Sequence, residues 1–129
     1  MVEFDEGQLK RVAFHLLTFK NPKARHFLAK NTITAADLFS LEARQLETAG
    51  FLALEARIVG KSGWRIAENE VSRLKKNHME IIFREDECYP PLLAEIYDPP
   101  DLIYFMGNRE ILARTKLAVV GSRRASIYG

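Results

Sequence analysis

The sequence predicts a compact bundle of short helices followed by the opening of an α/β sheet. Three observations predict it. Apolar residues recur at helical spacing, between frequent capping residues, through the first 77 positions. Near Asn77 the pattern switches to short β-branched and aromatic runs separated by prolines. Last comes a continuous apolar run, Leu117 to Val120, that ends in Gly-Ser-Arg.

Asp5 is placed to cap a first helix in which Leu9, Val12, Ala13, Leu16 and Leu17 form one apolar stripe, the expected core face. Asn21 before Pro22 opens a second helix to about Lys30, since asparagine caps well and proline suits the first helical position. Thr34 with Asp37 has the form of a capping box for a short third helix. Ser40 is the expected start of a fourth, which Gly50 ends because glycine accepts the left-handed conformation. A fifth begins near Leu52, is interrupted between Gly60 and Gly63, and resumes from Trp64 to Lys76.

Beyond Asn77, Glu80 to Phe83 predicts a strand and the acidic run after it a turn. Pro90 and Pro91 open a helix of one or two turns carrying Leu92, Leu93 and Ile96. The following Asp-Pro-Pro-Asp stops it, because a residue before proline is pushed out of the helical region. Leu102 to Met106 predicts a second strand closed by Gly107 and Asn108, and Arg109 to Arg114 a helical connector. Leu117 to Val120, apolar on both faces, is the expected first parallel strand of a sheet covered on both sides.

At 129 residues, 47% hydrophobic and 28% charged, the composition is that of a soluble globular protein with room for one ordinary domain, or a small domain and part of a second. The expected division is 1–77 and 78–129. The first residues carry acids where a secretory signal would carry lysines, and no run reaches membrane-spanning length, so a cytoplasmic location without a membrane is expected. Cys88 is the single cysteine, and His15, His26 and His78 are widely scattered, so no metal set and no cofactor are expected. Residues 1–77 hold 13 Lys and Arg against 9 Asp and Glu, a charge of +4, while 78–129 hold 6 against 8, a charge of −2. Lys20, Lys23, Arg25 and Lys30 concentrate part of that excess, which suits a solvated surface or a weak salt-sensitive contact. The link between the first two helices lacks the glycine of DNA-gripping helical hairpins, which favours docking of a protein partner by this half.

A buried strand that gives way to a helix start directs backbone N–H groups and a helix dipole at one point, where anions collect. Gly121 allows close backbone approach, Ser122 offers a hydroxyl, and Arg123 a planar fork for phosphate oxygens. Arg124 and Ser126 are further candidates. The motif is neither the dinucleotide fingerprint nor a P-loop, so neither NAD nor ATP is supported. No nucleophile with a base, carboxylate pair or metal set points to catalysis. Tyr89 with Pro90 reads as a turn packed on the core rather than a base-stacking platform, Asp98 to Pro100 as a rigid turn, and Trp64 as a wedge between helices.

Over residues 78–129 the sequence resembles the DNA-processing protein A family, DprA or Smf. The matching positions are Tyr89, Pro90, Leu93, Asp98, Pro100, Leu102, Gly107, Val120, Gly121, Ser122, Arg123, Ser126, Tyr128 and Gly129. The resemblance implies a bacterial protein that binds single-stranded DNA and loads the RecA recombinase in natural transformation, with no catalytic activity. Residues 1–77 would be a sterile-alpha-motif-like (SAM-like) helical domain. Residues 78–129 would begin an extended Rossmann fold whose Gly-Ser-Arg turn lines a basic DNA pocket, so that Gly121, Ser122 and Arg123 contact phosphate. Relative to the family the chain is expected to end just after that motif, without the remaining sheet and the homodimer surface. Residues 117–129 would then be poorly ordered or irregularly paired. Two other readings stand beside it: a nucleotide-hydrolysing Rossmann-family enzyme, and a stand-alone helical protein-interaction module.

Overall fold

The computed structural model describes residues 3–59, 63–124 and 126–127. Six α-helices and a 3-10 turn come first: α1 (Glu6–Thr18), α2 (Pro22–Lys30), α3 (Ala35–Leu38), α4 (Ala43–Ala49), α5 (Ala53–Val59), the turn Gly63–Arg65, and α6 (Ile66–Lys76). Strand β1 (Glu80–Phe83), helix α7 (Pro91–Ala94), strand β2 (Leu102–Phe105) and a 3-10 helix, Arg109–Ala113, follow. The residues expected between the fifth helix and its resumption, 60–62, lie outside the described residues.

Local chemistry accounts for the helix starts. Asp5 accepts the Gln8 N–H at 2.8 Å while Gln8 returns a bond to the Asp5 N–H, a complete capping box. Asn21 accepts the Ala24 N–H at 3.0 Å, and Thr34 and Asp37 cap each other. The fourth helix departs from expectation: its cap is Glu42, tied to Gln45 at 2.8 Å, and Ser40 lies in the preceding turn. Ser40 instead gives its N–H to the Asp37 carbonyl at 2.9 Å, closing the third helix, and is thereby committed to an end rather than a start.

Three helices end alike. The N–H groups of Phe51, Ile33 and Met79 reach back five residues to the carbonyls of Leu46, Leu28 and Leu74 at 3.0, 2.9 and 2.9 Å. Each of these turns needs a left-handed residue before it. Gly50 provides one at φ 109°, but Thr32 and His78 take φ 56° and 55° despite their side chains, where strain costs about 1–2 kcal/mol relative to glycine. The apolar pair spanning each turn lies in or against the core and offsets that cost.

The expected stripe of α1 faces inward: Val12 and Ala13 are fully buried, with Leu9, Leu16 and Leu17 packed on the core. Ala24 and Leu28 of α2, Leu38, Leu46, Val59, Ala67 and Leu74 complete the helical part of the interior. Trp64 packs against it, as a wedge would. β1 and β2 form a two-stranded antiparallel sheet with Ile81 opposite Tyr104 and Phe83 opposite Leu102. Those four residues share one face, because directly opposed residues in a sheet point the same way, and that face lies on the helical core. Ile82, on the opposite face, is fully buried as well.

Candidate nucleic-acid interface

Leu117 to Val120 does not form the expected parallel strand. Residues 115–122 run without helix or strand, and Leu117, Val119 and Val120 are each 91% exposed. A strand forms when its N–H and C=O groups meet a neighbour in register, and among the described residues β1 and β2 pair with each other alone. Gly121, Ser122, Arg123, Arg124 and Ser126 are all exposed on this segment. Ser122 Oγ accepts the Arg124 N–H at 3.2 Å, folding the backbone locally. A Cβ at Gly121 would meet no heavy atom within 4 Å, so the backbone there is approachable from outside. The described residues after Arg123 form a bend and a turn rather than a helix, so the helix dipole expected at this point is not in place. Ala125, Tyr128 and Gly129 lie outside the described residues.

The stalk carrying this segment is fixed more firmly. Asn108 accepts the Glu110 N–H at 2.9 Å and starts the 3-10 helix Arg109–Ala113. Arg109 fastens that helix to β1 through Glu80, with Nε 2.8 Å from Oε2, and its Nη1 lies 3.5 Å from Cys88 Sγ. Lys116 Nζ turns back to the carbonyls of Leu112 and Arg114. Arg109 and Lys116 are thus spent on structure, whereas among the described residues no ion pair holds Arg114, Arg123 or Arg124.

Arg11 of α1 organises the junction of helices and sheet, and nothing in its sequence setting singles it out. Nε and Nη2 each lie 2.8 Å from the two carboxylate oxygens of Asp101, while Nη1 and Nη2 grip Glu85. The guanidinium also lies 4.4 Å from the centre of the Phe83 ring. The two carboxylates raise its pKa further above the usual guanidinium range, and in return Arg11 lowers that of Glu85. A second pair, Arg25 with Asp98, ties α2 to the turn before β2. Asp98 therefore joins an ion pair within the rigid turn expected there. Tyr89 is buried as a turn residue, its hydroxyl donating to the Pro100 carbonyl at 2.7 Å.

His15, Tyr104 and Glu70 meet where α1, α6 and β2 touch. The His15 ring lies 5.8 Å from Tyr104 and 5.5 Å from Phe19. Burial first, and the Arg25 charge second, lower the imidazole pKa. Burial and then the nearby Glu70 charge push the Tyr104 phenol up to about 12. Its hydroxyl is enclosed near Glu70 without a bond of good geometry, while Arg73 takes the Glu70 carboxylate at 2.7 Å.

A family model described as DNA recombination-mediator protein A matches residues 80–129. Among curated relatives, the DNA processing protein DprA of Streptococcus pneumoniae is 52% identical over 44 residues, 34% of this chain and 16% of that protein. The protein Smf of Borreliella burgdorferi is 30% identical over 76 residues, 59% of this chain and 24% of that protein. Through residues 80–129 the chain is similar to the DprA/Smf family. No solved structure matches it. The chain spans less than a quarter of the length of either relative. The DprA/Smf match takes in β1, α7, β2, the 3-10 stalk and the exposed Gly-Ser-Arg segment, and the Arg11 carboxylate partners Glu85 and Asp101 fall inside it. Among the described residues no helix is long and apolar enough to cross a membrane.

Proposed function

We propose that this chain acts in DNA processing during recombination, as part of a protein that binds single-stranded DNA and delivers it to a RecA-type recombinase without catalysing a reaction. In this reading residues 1–77 are a SAM-like helical unit and 78–129 the start of an extended Rossmann domain. The complete protein works in the cytoplasm and forms a homodimer through parts that this chain does not contain. The observation that carries the reading is the family match over residues 80–129, which takes in an exposed Gly-Ser pair followed by two exposed arginines.

Gly121 presents its backbone without a side chain, Ser122 and Ser126 supply hydroxyls, and Arg123 and Arg124 supply the positive charge that a phosphate backbone requires. Contacts of this kind position a strand and carry no base information. Arg123→Ala, made in the full-length protein, is therefore expected to weaken binding to a thymine-rich and a mixed-sequence strand by the same factor. The slope of log affinity against log salt should fall by about 0.7. Unchanged affinity in a fluorescence titration, or a loss confined to one sequence, rejects the assignment.

A further inference from the structure

We infer that the surface around the first turn of α2 is a second contact site for single-stranded nucleic acid, with Phe19 and Tyr97 as base-stacking rings and Lys20 and Lys23 as phosphate partners. The inference rests on the reading of this chain as part of a single-strand binder but uses none of the residues assigned there.

Large exposed apolar rings are costly to leave in water, and Phe19 is 69% exposed while Tyr97 is completely so. Neither belongs to the core, and they sit 78 positions apart in the chain. Phe19 lies three residues before α2, its ring 5.5 Å from that of His15 and tilted to it by 41°. Arg25, in the first turn of α2, pairs with Asp98, the residue after Tyr97. The two rings are therefore both tied to the start of α2, Phe19 by the chain and Tyr97 through the Arg25–Asp98 pair.

That helix is one-sided in charge. Pro22–Lys30 contains Lys23, Arg25, His26 and Lys30 and no acid, and Lys20 lies two residues before it. Ala24 and Leu28 are its buried face, so Lys23, His26 and Lys30, spaced three and four apart, run along the outer one. Arg25 is committed to Asp98, whereas among the described residues no ion pair holds Lys20, Lys23 or Lys30. Lys23 and Lys30 lie about 10 Å apart along the axis, a reach that spans neighbouring phosphates of an extended strand.

Lysines alone would suit any anion. Lysines beside two exposed aromatic rings suit single strands, because unstacked bases offer flat faces and the backbone offers the charge. A duplex keeps its bases stacked inside and could use the lysines alone.

The test is an anisotropy titration of the 129-residue chain at low salt. The ligands are a labelled oligothymidylate, an abasic strand of equal length and polyglutamate. Three double variants are compared: Phe19→Ala with Tyr97→Ala, Lys20→Glu with Lys23→Glu, and Arg123→Ala with Arg124→Ala. All six side chains are exposed, and circular dichroism verifies that each variant stays folded. The aromatic pair is expected to weaken oligothymidylate binding about tenfold or more while sparing the abasic strand. The lysine pair is expected to weaken both strands and lower the salt slope by about 1.4.

A loss confined to the Arg123–Arg124 variant overturns this inference and leaves the proposed function standing. A loss confined to the Phe19–Tyr97 and Lys20–Lys23 variants supports it and removes the Gly-Ser-Arg turn from that function. Equal weakening of polyglutamate by the lysine pair, with the aromatic pair silent, identifies an acidic protein partner and overturns the inference. So does failure of the chain to bind any strand.

Discussion

Glu80 to Phe83 and Leu117 to Val120 are tetrapeptides of similar apolar content, both of which the sequence presents as strands, and their fates are opposite. The first pairs in register with Leu102–Phe105, buries Ile82 completely and seats Ile81 and Phe83 on the helical core. The second lies extended and unpaired among the described residues, with three of its four side chains nine-tenths exposed. Propensity is thus shared and does not decide the outcome. What differs is a partner at the right register, which satisfies the backbone, and an apolar surface beneath, which rewards burial. The phosphate-facing turn proposed above sits on the segment that lacks both.

Equal truncations in the two segments should have very unequal costs. Ile82→Ala is expected to cost about 2–5 kcal/mol, the transfer of a buried side chain plus the cavity it leaves. Val119→Ala should change stability by less than about 0.5 kcal/mol, since its side chain is already in water. Urea unfolding followed through the single Trp64 reads both. A comparable loss at Val119 would mean that the second tetrapeptide is buried after all.

Much of the helical half is legible because its signals are local. Asp5, Asn21 and Thr34 cap where their chemistry says they should, and Gly50 stops α4. The stops at Thr32 and His78 carry no glycine to announce them. Their sign is instead an apolar pair five residues apart, Leu28 with Ile33 and Leu74 with Met79, which becomes informative once the reversed hydrogen bonds are known. Ser40 misleads as a start because a hydroxyl in a turn serves either neighbour equally well. Arg11 is illegible for a different reason: its carboxylate partners stand 74 and 90 positions away, and no local pattern encodes such a distance. In the candidate interface the residue types are legible, while their exposure is not. Phe19 and Tyr97 read as ordinary apolar residues until the fold leaves them outside.

Arg11 helps to hold the paired tetrapeptide in place, through Asp101 before β2 and Glu85 after β1. Arg11→Met keeps the packing over Phe83 and removes the bidentate grip on Asp101 and the hold on Glu85. The expected cost is about 1.5–3 kcal/mol, the range for hydrogen bonds to charged groups. Arg25→Ala breaks a pair whose side chains are 49% and 66% exposed, and should cost less than about 1 kcal/mol. If the two costs were equal in the same urea experiment, Arg11 would be one more surface ion pair and the hairpin would be held by its apolar face alone.

The smallest effect is a dependence on pH that the hairpin side should show and the exposed segment should not. His15 is half enclosed between α1 and β2, and its folded pKa is lowered by burial and by Arg25, against opposing pulls from Asp101 and Glu70. The unfolded chain therefore binds the proton more readily than the folded one. Stability is unaffected well above the unfolded value of about 6.5 and falls as pH drops through that value toward the lower folded one. This window lies above the one for Glu70 and Glu85, whose carboxylates Arg73 and Arg11 hold below their usual range, so those groups contribute only on stronger acidification. Thermal midpoints should fall modestly between about pH 7.5 and pH 5.5 for the native sequence and stay level for His15→Gln, which keeps a polar ring-sized group without the titration. Backbone amide signals of Ala118 to Ser122 should not follow that change, because nothing in their surroundings titrates with His15. A midpoint that stays level in the native chain would show that the imidazole is as open to water as the tail.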